Sequence, residues 1–334
     1  MAIGTLSDFV TFQEQVHGGM VETLAQNTET FNSASRNTIR LVNEKTLGEY
    51  NQETFYKNVA GLVIRRDNTS VSAATDLALT QDQLVGVKLN RTIGPVAQTL
   101  DAFKKVAESL PGPDGFGILA LRLGAQIAKS MEVDWLDSGL RSQVAATLNQ
   151  ANARVDQTGT VITTTDLVDM LAKFGDQASR VKAFVMHSKV WYDLVKDQIN
   201  LNVTDVSSFS IAEGSALTMG RPVIITDSVE LRSAAASTSP DNDFDYYTLG
   251  LVENGLVLQD SEETTIVTDQ VTGLDSLVIR VQGEHAFNVN LKGYKWDIAN
   301  GLANPTDSSL GTGTNWDLPA SDIKDTSGVI LSTK

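Results

Sequence analysis

Apolar residues recur at three- and four-residue steps from Asp114 to Gln150. They run Phe116, Leu119, Leu123, Ile127 and Met131, then, after a small shift, Trp135, Leu136, Leu140, Val144 and Leu148. The rhythm predicts a helix with one apolar face. Ala120, Ala125, Ala128, Ala145 and Ala146 fill the gaps with the best helix former. Pro111-Gly112-Pro113 stops whatever precedes it. Uninterrupted, the helix would run about 50 Å, longer than an ordinary small domain is wide. Gly139, beside Ser138, is the expected break, because glycine costs roughly 1 kcal/mol against alanine inside a helix. A spine of this length needs other parts of the chain, or other chains, laid along it.

Upstream the pattern is weaker. Phe12, Val16, Met20 and Leu24 sit four apart, but Gly18-Gly19 interrupts them, and a polar stretch from Gln26 to Asn37 follows. Residues 1–55 are expected to form a helix or two on an extended arm ordered by a neighbour, or else an edge of the core. Gly61-Leu62-Val63-Ile64 is a short apolar run before the turn-rich Asp67-Asn68-Thr69-Ser70. Val85, Val87 and Leu89 alternate with Gly86, Lys88 and Asn90, as in a strand with one wet face. The two runs predict an extended hairpin over residues 56–92. A two-stranded hairpin is at best marginally stable alone, so this one should lie on another surface. Its base would gather Arg65, Arg66, Lys88 and Arg91, either as solvated strand ends or as a docking contact for an acidic neighbouring subunit.

Past Ile93-Gly94-Pro95 a helix is expected, with Val96, Leu100, Phe103, Val106 and Leu110 on its inner stripe. Beyond the spine, Ala151 to Thr160 reads as a loop or short hairpin. Thr163-Thr164-Thr165-Asp166 caps a helix bearing Leu167, Met170, Leu171 and Phe174. Phe184-Val185-Met186 is a buried strand, and Ser188 caps a helix carrying Trp191, Leu194, Val195 and Ile199. From Gly220 strands dominate. The first is Arg221 to Asp227, with Pro222 where no ladder donor is needed. Tyr247–Val252, Leu256–Leu258, Leu277–Val281 and Phe287–Leu291 follow, and Trp296 and Trp316 stand as anchors among turn residues. This order points to an α/β or α+β layer arrangement.

Composition narrows the picture. A chain of 334 residues can bury a sizeable core and suits two subdomains. Its 41% hydrophobic and 20% charged content describes a folded protein rather than a disordered one. With no cysteine, disulfides and thiolate metal sites are unavailable, which fits assembly in a reducing cytoplasm. No apolar run is long enough to cross a bilayer, and no charged leader precedes an apolar block at Met1, so no signal peptide is expected. A net charge of −15 makes the chain a poor ligand for nucleic-acid phosphates, although acidity also serves plain solubility.

Catalytic signatures are missing. There is no Walker loop and no dinucleotide glycine fingerprint, and His17, His187 and His285 lack metal-motif spacing. Ser179-Arg180-Val181-Lys182 matches a short serine–lysine pattern without its companions. Asp241, Asp243 and Asp245 alternate as in a calcium loop, but Tyr246 and Val252 stand where the turn glycine and the bidentate glutamate belong. No catalytic, cofactor or metal residue is assigned.

Four strings occur in a telling order. They are Val87-Lys88-Leu89-Asn90-Arg91-Thr92-Ile93-Gly94-Pro95-Val96-Ala97-Gln98-Thr99-Leu100-Asp101, Phe184-Val185-Met186-His187-Ser188-Lys189-Val190-Trp191, Gly220-Arg221-Pro222-Val223-Ile224-Ile225-Thr226-Asp227, and Asn304-Pro305-Thr306 with Asn315-Trp316. Together they resemble tailed-bacteriophage major capsid proteins of the HK97-like fold, over nearly the whole chain. The resemblance implies an α+β fold: residues 1–55 an N-terminal arm, 56–92 an E-loop hairpin, and 93–182 a peripheral domain with the spine helix. Residues 183–285 would be the axial domain, and 286–334 a return to the peripheral domain and C-terminal segment.

It also implies a structural, non-enzymatic coat protein whose pentamers and hexamers tile an icosahedral shell. The shell encloses double-stranded DNA without sequence-specific binding; it forms in the host cytoplasm and becomes the virion capsid, with no membrane. Further copies, a portal, a separate scaffolding protein and a decoration protein are the implied partners. Some relatives form Lys–Asn cross-links. Lys88 lies in a suitable region, but no nearby glutamate identifies itself, so that chemistry is not assigned. Within the fold the alternative is an encapsulin-like compartment. Outside it, the Thr/Asn-rich strands suggest an exported carbohydrate-binding module, against which the long central helix argues.

Overall fold

Gly18-Gly19 does not interrupt the first apolar repeat. Leu6–Ala34 is one helix, α1, and its Phe12, Val16 and Met20 are wholly buried. The computed structural model describes residues 6–42, 48–57, 59, 61–66, 68–69, 73, 76–109, 115–203, 218–233, 244–262 and 264–334. After α1 come strands β1 (Ile39–Val42), β2 (Tyr50–Tyr56) and β3 (Gln81–Thr99), then helices α2 (Leu100–Ser109) and α3 (Gly115–Leu148). α1 lies along α3, and Phe12 meets Phe103 of α2 edge to face at 5.3 Å. The first helix is therefore part of the chain's own core, not an arm that waits for a neighbour. An apolar stripe four residues apart was enough to bury it on the nearest long helix.

α3 is the predicted spine, and it runs unbroken through Gly139. The reason is packing. A β-carbon at Gly139 would stand 2.9 Å and 3.0 Å from methyl groups of Leu256 and Leu258. Glycine here lets a sheet approach the helix. Up to Trp135 the spine buries one face, through Ala120, Ile127, Ala128 and Met131; from Ser142 to Thr147 every residue is buried, so the helix passes from the surface into the interior.

The rest of the chain supplies β4 (Arg154–Asp156), α4 (Thr164–Ala172), β5 (Val181–His187), α5 (Ser188–Val203), β6 (Val223–Thr226) and β7 (Tyr246–Val252). β8 (Leu256–Asp260), β9 (Thr265–Val271), β10 (Val278–Leu291), β11 (Lys295–Trp296), α6 (Ile298–Gly301), α7 (Asp307–Leu310), β12 (Trp316–Asp317) and β13 (Gly328–Thr333) follow. One sheet has the order β1-β8-β10-β3-β2, with β9 also on β10; a second has the order β4-β13-β7-β5-β6. Both lean on α3. Leu89, Leu258, Phe287 and Val289 of the first sheet share a core with Val185, Leu249 and Ile330 of the second. The second sheet's other face packs Phe184, Met186, Val329 and Leu331 against Leu167 and Met170 of α4 and Val190 and Leu194 of α5. β13 is buried on both faces, which is why its Val329-Ile330-Leu331 run has no polar alternation.

Several elements depart from expectation. The predicted helix after Pro95 begins only at Leu100, because residues 93–99 extend β3 along β10. Gly94 and Pro95 together oppose the single residue Gln282, so they form a bulge, with Gly94 at φ 79°. Leu277–Val281 and Phe287–Leu291 belong largely to one long strand, β10, while β1, β9 and β13 had no clear sequence signal. The chain re-enters the first sheet at β8 rather than at residue 286, and β13 goes back to the second. Leu110, Pro111–Pro113, Asp241 and Asp243, with the side chains of Phe116 and Ile199, lie outside the described residues. The Thr163 cap holds: its amide donates to the Asp166 carboxylate at 2.8 Å. Ser188 is instead the first residue of α5, and its hydroxyl donates to Asp227.

Candidate assembly surface

The hairpin is built by β2 and β3, with Tyr50 opposite Val87 and Tyr56 opposite Gln81. Its first arm is thus residues 50–56, not the Gly61–Ile64 run, which lies in the tip. β3 continues into the first sheet, so the hairpin is an outgrowth of the core. In the tip, Leu62, Val63 and Ile64 are 69%, 94% and 77% exposed, and Leu77 and Leu79 are exposed as well. Such a run of bare apolar side chains marks an interaction surface.

The four basic residues expected at the hairpin base are not brought together. Arg65 and Arg66 are exposed in the tip, beside the apolar run, with no ion pair among the described residues. Lys88 is buried and pairs with Glu262. Arg91 is engaged inside the subunit: its Nε donates to Asp134 Oδ2 at 3.1 Å, and its Nη2 to Ser138 Oγ at 3.1 Å and Asp307 Oδ1 at 2.8 Å. The placement of the first arm at 50–56 carried Arg65 and Arg66 outward. Local alternation could not reveal the long-range partners of the other two.

Those partners belong to a hub that sequence reading missed. Arg141 of α3 donates to both oxygens of Glu230, at 2.7 Å and 2.8 Å, and reaches Asp307 at 3.0 Å. Ser228 donates to Asp137 at 2.6 Å. Arg91, Arg141 and four acidic residues therefore tie β3, the spine, α7 and the Val229–Leu231 turn together. Burial raises the Asp134 carboxyl above its ordinary range, and the neighbouring Arg91 charge only partly offsets this. Burial acts the same way on Asp307, but the hydrogen bonds from Arg91 and Arg141 outweigh it and hold that carboxyl low. The hydrogen bonds to Glu230 raise the pKa of Arg141. No signal short of the fold links positions so far apart.

The C-terminal segment is pinned beside the hub. Trp296 and Trp316 are buried with ring centroids 4.9 Å apart at 69°, and their indole N–H groups donate to the carbonyls of Leu302 and Leu310 at 3.0 Å and 3.1 Å. The Asn90 amide donates to Asn304 Oδ1 at 2.9 Å, fastening this segment to β3. Between the paired arms of the hairpin and β11–α6–β12 opens a groove of about 610 Å³, lined in part by Asp82, Lys295, Trp296, Asp297, Ile298 and Asp317. Lys295 Nζ hangs between Asp82 and Asp317, 3.9 Å from a carboxylate oxygen of each. The hydrogen bond from Lys57 lowers the Asp82 carboxyl, and the one from Asn300 lowers Asp297.

No group of histidine, cysteine and acidic side chains among the described residues has the arrangement of a metal site. Among them, too, no helix is long and apolar enough to cross a membrane. His285 is buried on β10, stacked on Phe287 at 6.0 Å with ring planes 10° apart. Burial, assisted by the Arg91 charge, pushes its pKa down to about 4. It is a core histidine.

A family model described as Gp13-like, Major capsid protein 13-like, matches residues 8–330. The solved capsid asymmetric unit of Cyanophage Pam1 superposes with a TM-score of 0.53 at 10% identity, covering 88% of each chain. A structure from Mycobacterium phage Cain gives 0.52 at 8% identity, and one from Mycobacterium phage Adephagia 0.50 at 10%, each over 90% of both chains. At such identities the likeness is one of fold. No curated protein matches the sequence.

Proposed function

The chain belongs to the Gp13-like family of major capsid proteins, and from that premise we propose that its copies close, as pentamers and hexamers, into an icosahedral shell around double-stranded DNA. It is a structural coat protein with the HK97-like α+β fold, and its place is the virion capsid. In the proposed shell the β2–β3 hairpin is the E-loop. The first sheet with α1, α2 and α3 is the peripheral domain, and the second sheet with α4 and α5 is the axial domain. Its role is structural rather than catalytic. A portal, a separate scaffolding protein and a decoration protein are the further partners of such a shell. Family membership supports neither the encapsulin-like nor the carbohydrate-binding alternative.

One observation carries the reading: Leu62, Val63 and Ile64 are bare in the isolated chain. Burying a large apolar side chain is worth about 1.5–3 kcal/mol, and a neighbouring copy is the surface that can supply it repeatedly. A specific contact needs about 1,200–2,000 Å² in total. Arg65 and Arg66 orient the contact toward an acidic neighbour, whereas Lys88 and Arg91 serve inside the subunit. The net charge of −15 discourages tight retention of DNA.

Negative-stain microscopy of the overexpressed chain tests the proposal. Closed particles or capsomers are expected, and a population of small monomers under every condition would refute it. Arg65→Glu with Arg66→Glu should abolish particles while leaving the circular dichroism melt unchanged. An unaltered particle yield removes the docking role from these two residues.

A further inference from the structure

We propose that the outer face of α1 in one copy of this chain docks on the outer face of α3 in the next, acid against base. The inference rests on the shell reading above and adds a contact in which the hairpin takes no part. Charge is segregated between the two long helices. From Leu6 to Ala34, α1 holds no lysine or arginine, and its exposed residues include Glu14, Glu22 and Glu29. From Gly115 to Met131, α3 holds no acidic residue, and its exposed residues include Arg122 and Lys129. None of these five side chains forms an ion pair among the described residues. Glu22 accepts a long bond, 3.4 Å, from Gln26 one turn on. A solvated helix commonly mixes both signs along its wet face. Two single-sign faces of opposite charge favour each other and disfavour their own kind.

Geometry decides how the faces meet. Within one subunit the helices run in parallel: Val16 and Met20 abut Gly124, Gly19 abuts Leu121, and Asn27 donates to Glu132 at 3.0 Å. At about 3.6 residues per turn, the three glutamates lie on the side of α1 away from α3, and Arg122 and Lys129 on the side of α3 away from α1. The pair is a slab with one acidic and one basic side, so contact between copies is head to tail. Repetition closes a ring when the rotation allows, as a capsomer requires. Rotation about an axis along the helices keeps α1 of one copy parallel to α3 of the next. Spacing then fits, because Glu22 to Glu29 and Arg122 to Lys129 are each seven residues, about 10.5 Å. Both pairs form in one register. Ala25 lies between the glutamates and is small enough for close approach, while Val21 and Val133, exposed by 47% and 58%, gain cover. One exposed ion pair contributes little alone, but a closed shell repeats it at every copy.

Charge exchange tests the contact. Glu22→Lys/Glu29→Lys should lower particle yield about tenfold or more, equivalent to about 1.4 kcal/mol at the contact. Arg122→Glu/Lys129→Glu should do the same, each with an unchanged circular dichroism melt. All four changes in one chain should restore particles, because the two faces then trade sign. Full yield from either double variant, or no recovery in the fourfold one, overturns the proposal and leaves the shell reading intact. Should the full-yield Arg122→Glu/Lys129→Glu protein instead retain linear double-stranded DNA fragments less tightly, the basic face belongs to nucleic acid. The chain has no cysteine, so disulfide trapping has no background. Particles of Glu22→Cys/Arg122→Cys, oxidised and run without reductant, should give a ladder of covalent oligomers. Assembled particles whose chains all stay monomeric refute the pairing. Failure of the unmodified chain to form particles defeats the shell reading and this contact with it.

Discussion

Three glycines on the two long helices set helix propensity against packing. Each glycine-to-alanine change should gain about 1 kcal/mol from propensity alone. At Gly18 nothing lies within 4 Å of the added β-carbon, so the gain should appear in full. At Gly124 the β-carbon would press on the Val16 carbonyl oxygen and stand 3.0 Å from the Met20 amide nitrogen. Both are backbone atoms of α1, and they cannot swing aside without moving the whole helix. Overpacking costs about 1–3 kcal/mol or more, and a clash this close with backbone belongs at the upper end, so Gly124→Ala should destabilise by about 2 kcal/mol net of the propensity gain. Gly139 is intermediate, since the contacts there are leucine methyl groups that can re-orient. Near-neutrality is expected. Urea unfolding of the three variants should rank them Gly18→Ala most stable, then Gly139→Ala, then Gly124→Ala. Hydrogen exchange in α1 should quicken only in the last. A Gly124→Ala protein as stable as Gly18→Ala would show that α1 does not press on the spine as described.

Two further perturbations follow from buried charge. Because the pKa of His285 falls from 6.5 to about 4 on folding, the unfolded chain takes up a proton that the folded chain refuses. Stability is therefore fully present above pH 6.5, declines as pH falls toward about 4, and flattens below; the window is worth about 3 kcal/mol. His285→Leu should remove that part of the pH dependence, and an unchanged slope between pH 4 and 6.5 would contradict it. Arg141→Met strips Glu230, whose side chain is only 14% exposed, of its bidentate partner. The expected loss is about 2 kcal/mol, between the values for exposed and fully buried pairs. Arg141→Met/Glu230→Met should recover much of it in chemical denaturation, and a double variant no better than the single would place the cost elsewhere.

Local pattern determined a good deal of this protein on its own. The spine, the Thr163 capping box, the β5 strand and the Trp296–Trp316 anchors were legible because periodicity, capping and burial of large side chains act over a few residues. What needed the tertiary structure were the features that depend on which distant segments meet. Gly18-Gly19 and Gly139 read as breaks, yet α1 and α3 run through them, because packing energy outweighs about 1 kcal/mol of propensity per glycine. β13 was missed because a strand buried on both faces has no alternation to detect. The expected cluster of Arg65, Arg66, Lys88 and Arg91 came apart for a similar reason. A shift of the first hairpin arm to Tyr50–Tyr56 put two of them in the tip, while carboxylates of Glu262, Asp134 and Asp307 claimed the others. Sequence supplied the elements and the kind of surface; only the fold decided which charges are already neutralised within the subunit and which remain for a neighbour.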